Sequence, residues 1–149
     1  MDKSPVVVAL QREQASALVL YLNYKKYHWL TFGPHFRDYH LLFGEHADQV
    51  LESVDELAER ALMIDGKPLA DPPQYLPASF VEPSQGERGV RQMLEEAVAG
   101  HDKVIRAMHD DADVATKAGD IGTADVFTRF VQLHQKQRWF LKEIARKAD

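Results

Sequence analysis

The chain is predicted to be all-α: a four-helix bundle in which one long crossover, carrying a short helix, joins the second and third long helices. Three observations carry this. Apolar residues recur at three- and four-residue steps through four long stretches with no strand-like alternation, Gly and Pro fall between those stretches, and most of the prolines gather in one central segment. With 149 residues, 45% of them hydrophobic, there is enough chain for one domain with a substantial core and too little for two, so residues 1–149 read as a single domain.

The first helix is expected from Val6 to Phe32, where Leu10, Ala17, Leu18, Tyr21, Leu22 and Tyr24 keep helical spacing with no Pro or Gly between them. Gly33-Pro34 breaks it. A second helix is expected from about Phe36 to Ile64, with Leu41, Leu42, Val50, Leu51, Val54, Leu57, Ala58 and Ala61 on its apolar side, stopped by Gly66 and Pro68. The span Gly66 to Gly89, rich in Pro, Ser, Asp and Gly, reads as the crossover with one short helical turn. The third helix runs from about Val90 to Lys117, Gly119-Asp120 and Gly122 mark a turn, and the fourth runs from about Thr123, a plausible N-cap, to Arg146. No period of 20 to 50 residues repeats, which argues against a solenoid. An ordinary helical interaction domain shows the same pattern of elements.

Composition removes several chemistries. There is no cysteine, so disulfides, thiolate metal sites and a Cys nucleophile are excluded, and any metal must sit on His, Asp or Glu. No stretch approaches the roughly 20 apolar residues of a membrane span, and Met1 to Pro5 lacks a signal-peptide pattern, so a cytoplasmic protein is expected. The net charge of −5 repels nucleic acid as a whole, and the first twenty residues hold only Lys3 and Arg12. Arg138, Lys142 and Arg146 form a basic stripe that helix-terminal stability alone explains. DNA binding is not expected.

Bundles of this connectivity that hold two metals inside one chain use Glu-x-x-His on each of two helices, because residues three apart share a helix face. This chain has no Glu-x-x-His. His28, near the end of the first helix, and His40, near the start of the second, can instead meet across the Gly33-Pro34 break. Asp55 and Glu59 share a face of the second helix, but Asp55 lies fifteen residues beyond His40, about 22 Å along a helix, so one subunit cannot close the site. Two antiparallel second helices across a twofold axis would set the acids of one chain opposite the histidines of the other. Chance placement in a His-rich chain is also compatible with this spacing. Taken alone, His28 reads as a packed hairpin residue and Asp55 and Glu59 as solvated carboxylates, Glu59 being free to pair with Arg60.

The run Lys26-Tyr27-His28-Trp29-x-x-x-Gly33-Pro34-x-Phe36-x-x-x-His40, with Asp55-Glu56-Leu57-Ala58-Glu59-Arg60 and later Gly119-Asp120-x-x-Thr123-Ala124-Asp125, closely resembles the signature of the Dps family of mini-ferritins. The resemblance spans essentially the whole chain. It implies a ferritin-like bundle assembling into a twelve-subunit cage, a ferroxidase that oxidises Fe²⁺ with hydrogen peroxide or O₂ and stores ferric mineral, and so protection against oxidative stress. Carried over by position, it implies that His28 and His40 of one subunit and Asp55 and Glu59 of its neighbour are the iron ligands. A DNA-compacting cage with weak oxidation is the alternative.

One position departs from the family pattern: where an acidic residue usually follows four after the second histidine, this chain has Gly44. Glu45 and His46 point about 100° and 200° further round an ideal helix, so neither replaces it. His134 is a candidate extra ligand, which would make the site more accepting of zinc. Asp110, Asp111, Asp113, Asp120 and Asp125 concentrate charge near the last turn, a region the resemblance places at threefold pores, with Asp120 and Asp125 as the expected cation guides. His35, His46, His101 and His109 are expected to be surface or capping residues.

Overall fold

The structure, a computed structural model, describes residues 3–146, so the domain read over 1–149 extends past the described residues at both ends. The elements are α1 (Ser4–Leu30), α2 (Phe36–Met63), a 3-10 turn at Pro72–Gln74 running into α3 (Tyr75–Ala78), α4 (Val90–Lys117) and α5 (Ile121–Ala145), with no strand among the described residues. This is the ferritin-like arrangement of two helical hairpins and a crossover.

Side-chain pairs give the register. Tyr24 meets His101 while Arg12 meets Asp111, so α1 and α4 run antiparallel. On the other side, Arg60 reaches Asp120, Glu56 reaches Arg129 and His46 meets Gln137, so α2 and α5 are antiparallel as well. The core between the four helices is filled by residues such as Leu10, Leu20, Phe43, Leu57, Met93, Met108, Phe127 and Leu141. Truncating Leu57 or Leu141, both wholly buried, removes transfer energy and leaves a void, at a cost of about 2–5 kcal/mol each.

Helix ends follow local chemistry. After α4, Gly119 takes φ +76°, and its N–H and that of Asp120 bond back to Thr116 (3.0 Å) and Ala115 (2.9 Å), closing the left-handed cap that glycine favours. At the end of α2 the left-handed residue is Asp65 (φ 67°) rather than Gly66. Gly66 is needed for space, since a Cβ there would stand 2.5 Å from a methyl of Val7 on α1. Two expected boundaries move. α1 stops at Leu30, because Thr31 is already extended on the approach to Gly33 at φ +108° and to Pro34. α5 starts at Ile121 with Asp120 as N-cap: its carboxylate accepts from the Thr123 N–H (2.9 Å) and hydroxyl (2.6 Å), so the aspartate displaces the threonine from that role.

Buried polar residues on α1 hold the crossover, whose backbone must be satisfied away from water. Gln14 donates to Leu69 O (2.8 Å) and accepts from Leu69 N (3.0 Å), Ser16 accepts from Phe80 N (3.1 Å), and Asn23 bonds Glu82 O (3.0 Å) and Ser84 N (2.8 Å). No helix of the described residues is long and apolar enough to cross a membrane.

Candidate metal centre

The turn between α1 and α2 brings His28 and His40 together. Their rings stack with centroids 3.8 Å apart at 13°, and Phe36 stacks on the far side of His40 at 5.2 Å. The contact is reciprocal: His28 Nδ1 lies 2.5 Å from the carbonyl of His40, and His40 Nδ1 lies 2.6 Å from the carbonyl of His28. A carbonyl only accepts, so each Nδ1 carries a proton, and Nε2 is the nitrogen left to bind a metal. Backbone therefore fixes the plane of both imidazoles and assigns Nε2 as the ligand atom of each, as oxygen acceptors do for the histidines of metal sites. Both side chains are half-buried at the tip of the hairpin.

Gly44 belongs to this arrangement. A Cβ at that position would stand 2.9 Å from both Cε1 and Nδ1 of His28. A side chain there requires the imidazole to shift, so this placement of His28 suits a glycine at position 44. Glu45 points to solvent and His46 into the bundle, so neither takes the missing place.

Asp55 and Glu59 are exposed on α2, away from the histidine pair. Among the described residues no group of three or more His, Asp or Glu side chains can hold a metal within one chain. The structure thus brings His28 and His40 together and does not bring Asp55 and Glu59 to them.

His134 lies elsewhere. It is wholly buried inside the bundle, its Nδ1 2.9 Å from His101 Nδ1, and burial pushes its pKa down to about 4. Asp120 is already committed: besides capping α5 it takes a 3.0 Å bond from Arg60. Burial raises its pKa, but the bonds from Thr123 and Arg60 outweigh this and hold it below the usual carboxylate range. Asp125 is exposed and pairs with Arg129 at 3.5 Å, one turn along α5.

Three expectations are corrected in the core. His46 and His101 are not surface or capping residues but are buried with Tyr24 and His134. Asp111, grouped with the charge near the last turn, is buried against Glu13, whose carboxyl pKa is raised by burial and then by Asp111 itself. The available signal was register: Tyr24 and His101, like Glu13 and Asp111, become neighbours only once α1 and α4 are known to be antiparallel.

The family model described as the ferritin-like domain matches residues 7–149. Among curated proteins, the chain is 36% identical to the DNA protection during starvation protein 1 of Deinococcus radiodurans, over 93% of this chain and 68% of that protein. It is 28% identical to general stress protein 20U of Bacillus subtilis, over 92% and 94%. Among solved structures, Dps of Thermosynechococcus elongatus superposes with a TM-score of 0.97 at 60% identity, covering 99% of this chain and 94% of that one. Dps of Vibrio cholerae, described as belonging to the broad superfamily of ferritin-like diiron-carboxylate proteins, gives 0.92 at 26% identity over 98% and 94%.

Proposed function

The chain belongs to the Dps family of ferritin-like proteins, and we propose that it is a cytoplasmic ferroxidase and iron store whose sites form between subunits of a twelve-chain cage. The observation that carries this is the braced pair His28 and His40, which presents two oriented Nε2 atoms, with no group of three or more His, Asp or Glu among the described residues that could hold a metal in one chain. Asp55 and Glu59, exposed on one face of α2, are the acids a neighbouring chain would bring, by the family's pattern. Exposed Trp29 and Phe32 at one end of the bundle and Leu62, Met63 and Ile121 at the other are apolar positions suited to self-association.

Iron is the substrate. Two ferrous ions held at such a site give one electron each to one hydrogen peroxide, whose O–O bond breaks to the level of water, and hydrolysis of the ferric product releases protons. Taking both electrons in one place avoids the hydroxyl radical that a single ferrous ion would generate. Imidazole ligands also suit zinc, which would compete for the same Nε2 atoms. The test is anaerobic Fe²⁺ loading of purified protein followed by peroxide or O₂, with ferric absorbance and particle mass recorded. Peroxide-driven oxidation faster than in protein-free buffer, with iron retained in a particle of about twelve chains, supports the reading. Oxidation no faster than buffer overturns it.

The name of the Deinococcus relative speaks of DNA protection. Removing ferrous iron and peroxide protects DNA without touching it, and the charge of −5 opposes contact with a polyanion. A gel shift at low salt separates the readings: no retarded band is expected, whereas a band that fades as salt rises favours a DNA-compacting cage.

A further inference from the structure

Phe36, His40 and Gly44 stand four residues apart on α2 and so share one face of that helix. Helical side chains lean back toward the N-terminus, which sets the His40 ring over the turn that carries Phe36. These two rings stack with centroids 5.2 Å apart at 21°, and on its other face His40 meets His28 of α1 at 3.8 Å and 13°. His28 in turn fills the place that a side chain at position 44 would take, since a Cβ there would stand 2.9 Å from its Cε1 and Nδ1. Phe36, His40 and His28 therefore form one column of three rings along α2, two borne by the helix and the third inserted by its neighbour.

Hydrogen bonds alone do not hold that column. His40 Nδ1 lies 2.6 Å from the His28 carbonyl, and that bond restrains one distance. A histidine has two side-chain torsions, of which χ2 is broad, so one combination of them stays soft. Motion along it swings Nε2, the ligand atom, away from the site. A flat group packed on each face of the ring stops the swing, and for His40 those groups are His28 and Phe36. Phe36 carries no donor atom, so its part in the column is steric. It is 42% exposed, so replacing it leaves the core of the bundle whole.

We propose that Phe36 is a positioning residue of the metal centre: it closes the outer end of the ring column and holds His40 with Nε2 turned to the site. A ligand that is in place for only part of the time binds with an affinity reduced by that fraction, so the stack raises metal affinity without supplying a ligand. The inference rests on the ferroxidase reading for the use of the site, but not for the hold of Phe36 on His40.

The test compares Phe36→Leu, which keeps apolar bulk, with Phe36→Tyr, which keeps the flat ring, in the full-length assembly, with particle mass and far-ultraviolet helical signal as controls. In iron-free protein labelled with ¹⁵N-histidine, the His40 Nδ1–H should exchange with deuterium about fivefold faster in Phe36→Leu and at the wild-type rate in Phe36→Tyr. In an anaerobic titration with Co²⁺ followed by its d–d absorption, Phe36→Leu should bind about fivefold more weakly and with altered bands, while Phe36→Tyr matches wild type. Fivefold corresponds to about 1 kcal/mol, the size of one stacked ring pair. Wild-type behaviour of Phe36→Leu in both readouts, or equal losses in the two variants, overturns the proposal, because the plane of the ring then plays no part. Wild-type protein that takes up no Co²⁺ counts against the metal centre itself, and exchange at His40, measured without metal, still decides whether Phe36 holds the ring.

Discussion

Acidification should destabilise this bundle through two named imidazoles. His46 and His134 are pushed from 6.5 to about 4 by burial, so the folded chain holds them neutral while the unfolded chain protonates them near 6.5. Between those values the unfolded state binds more protons, and stability falls as pH falls. The contribution is fully present above 6.5, is lost progressively down to about 4, and changes no further below that. With one pKa unit worth about 1.4 kcal/mol, each histidine should contribute about 2 kcal/mol less at pH 5 than at pH 8, and the pair about 4 kcal/mol. Urea unfolding at fixed protein concentration and at pH 8, 6 and 5 reads this directly, with His46→Gln/His134→Gln as the comparison and His134→Gln alone expected to remove half of the effect. Wild-type protein should lose about 4 kcal/mol more than the double variant over that range. Equal pH slopes, within about 1 kcal/mol, would mean that the imidazoles are charged or solvated in the folded chain, and the reasoning from burial would be refuted.

Further outcomes are expected. Gly44→Asp, which restores the usual acid of the family but drives a Cβ into His28, should weaken Fe²⁺ binding in equilibrium titration rather than strengthen it, by about tenfold through loss of the His28 brace. Asp120→Ala removes the cap of α5 and the partner of Arg60 and should cost about 1–2 kcal/mol in urea unfolding, so Asp125→Asn is the cleaner test of a pore role, slowing iron uptake with assembly unchanged. Glu13 is held protonated by burial, so its contribution to stability falls as pH rises above 4.5; Glu13→Gln should flatten that slope and be neutral or stabilising at pH 8 in the same assay. His28→Ala should abolish peroxide-driven oxidation while leaving the far-ultraviolet helical signal intact.

Within the site, legibility followed sequence distance. His28 and His40 are twelve apart around a Gly-Pro break, so a hairpin reading suffices to pair them, and the structure pairs them by reciprocal bonds to each other's backbone. Gly44 was visible as a departure but not as a cause, because the cause is the volume of the His28 ring pressed against it. The burial of His134 was not legible, because an imidazole on a helix carries no mark of which way it faces. The tie of Asp120 to Arg60 was not legible, because nothing local shows a residue sixty positions away arriving beside it.

What the sequence determined by itself is whatever depends on near neighbours: four long helices from apolar spacing, breaks at Gly and Pro, one crossover, the absence of thiol chemistry, and through its motifs the family. These are properties of φ/ψ preference and helical periodicity, which operate over a few residues. What only the tertiary structure decided is which polar groups share the interior. Tyr24, His46, His101 and His134 come from four helices, and Glu13 and Asp111 lie on helices whose relative register the crossover sets. Their meeting follows from long-range packing, and the suppressed charge of the three imidazoles and of Glu13 from the exclusion of water, neither of which any local stretch of sequence encodes.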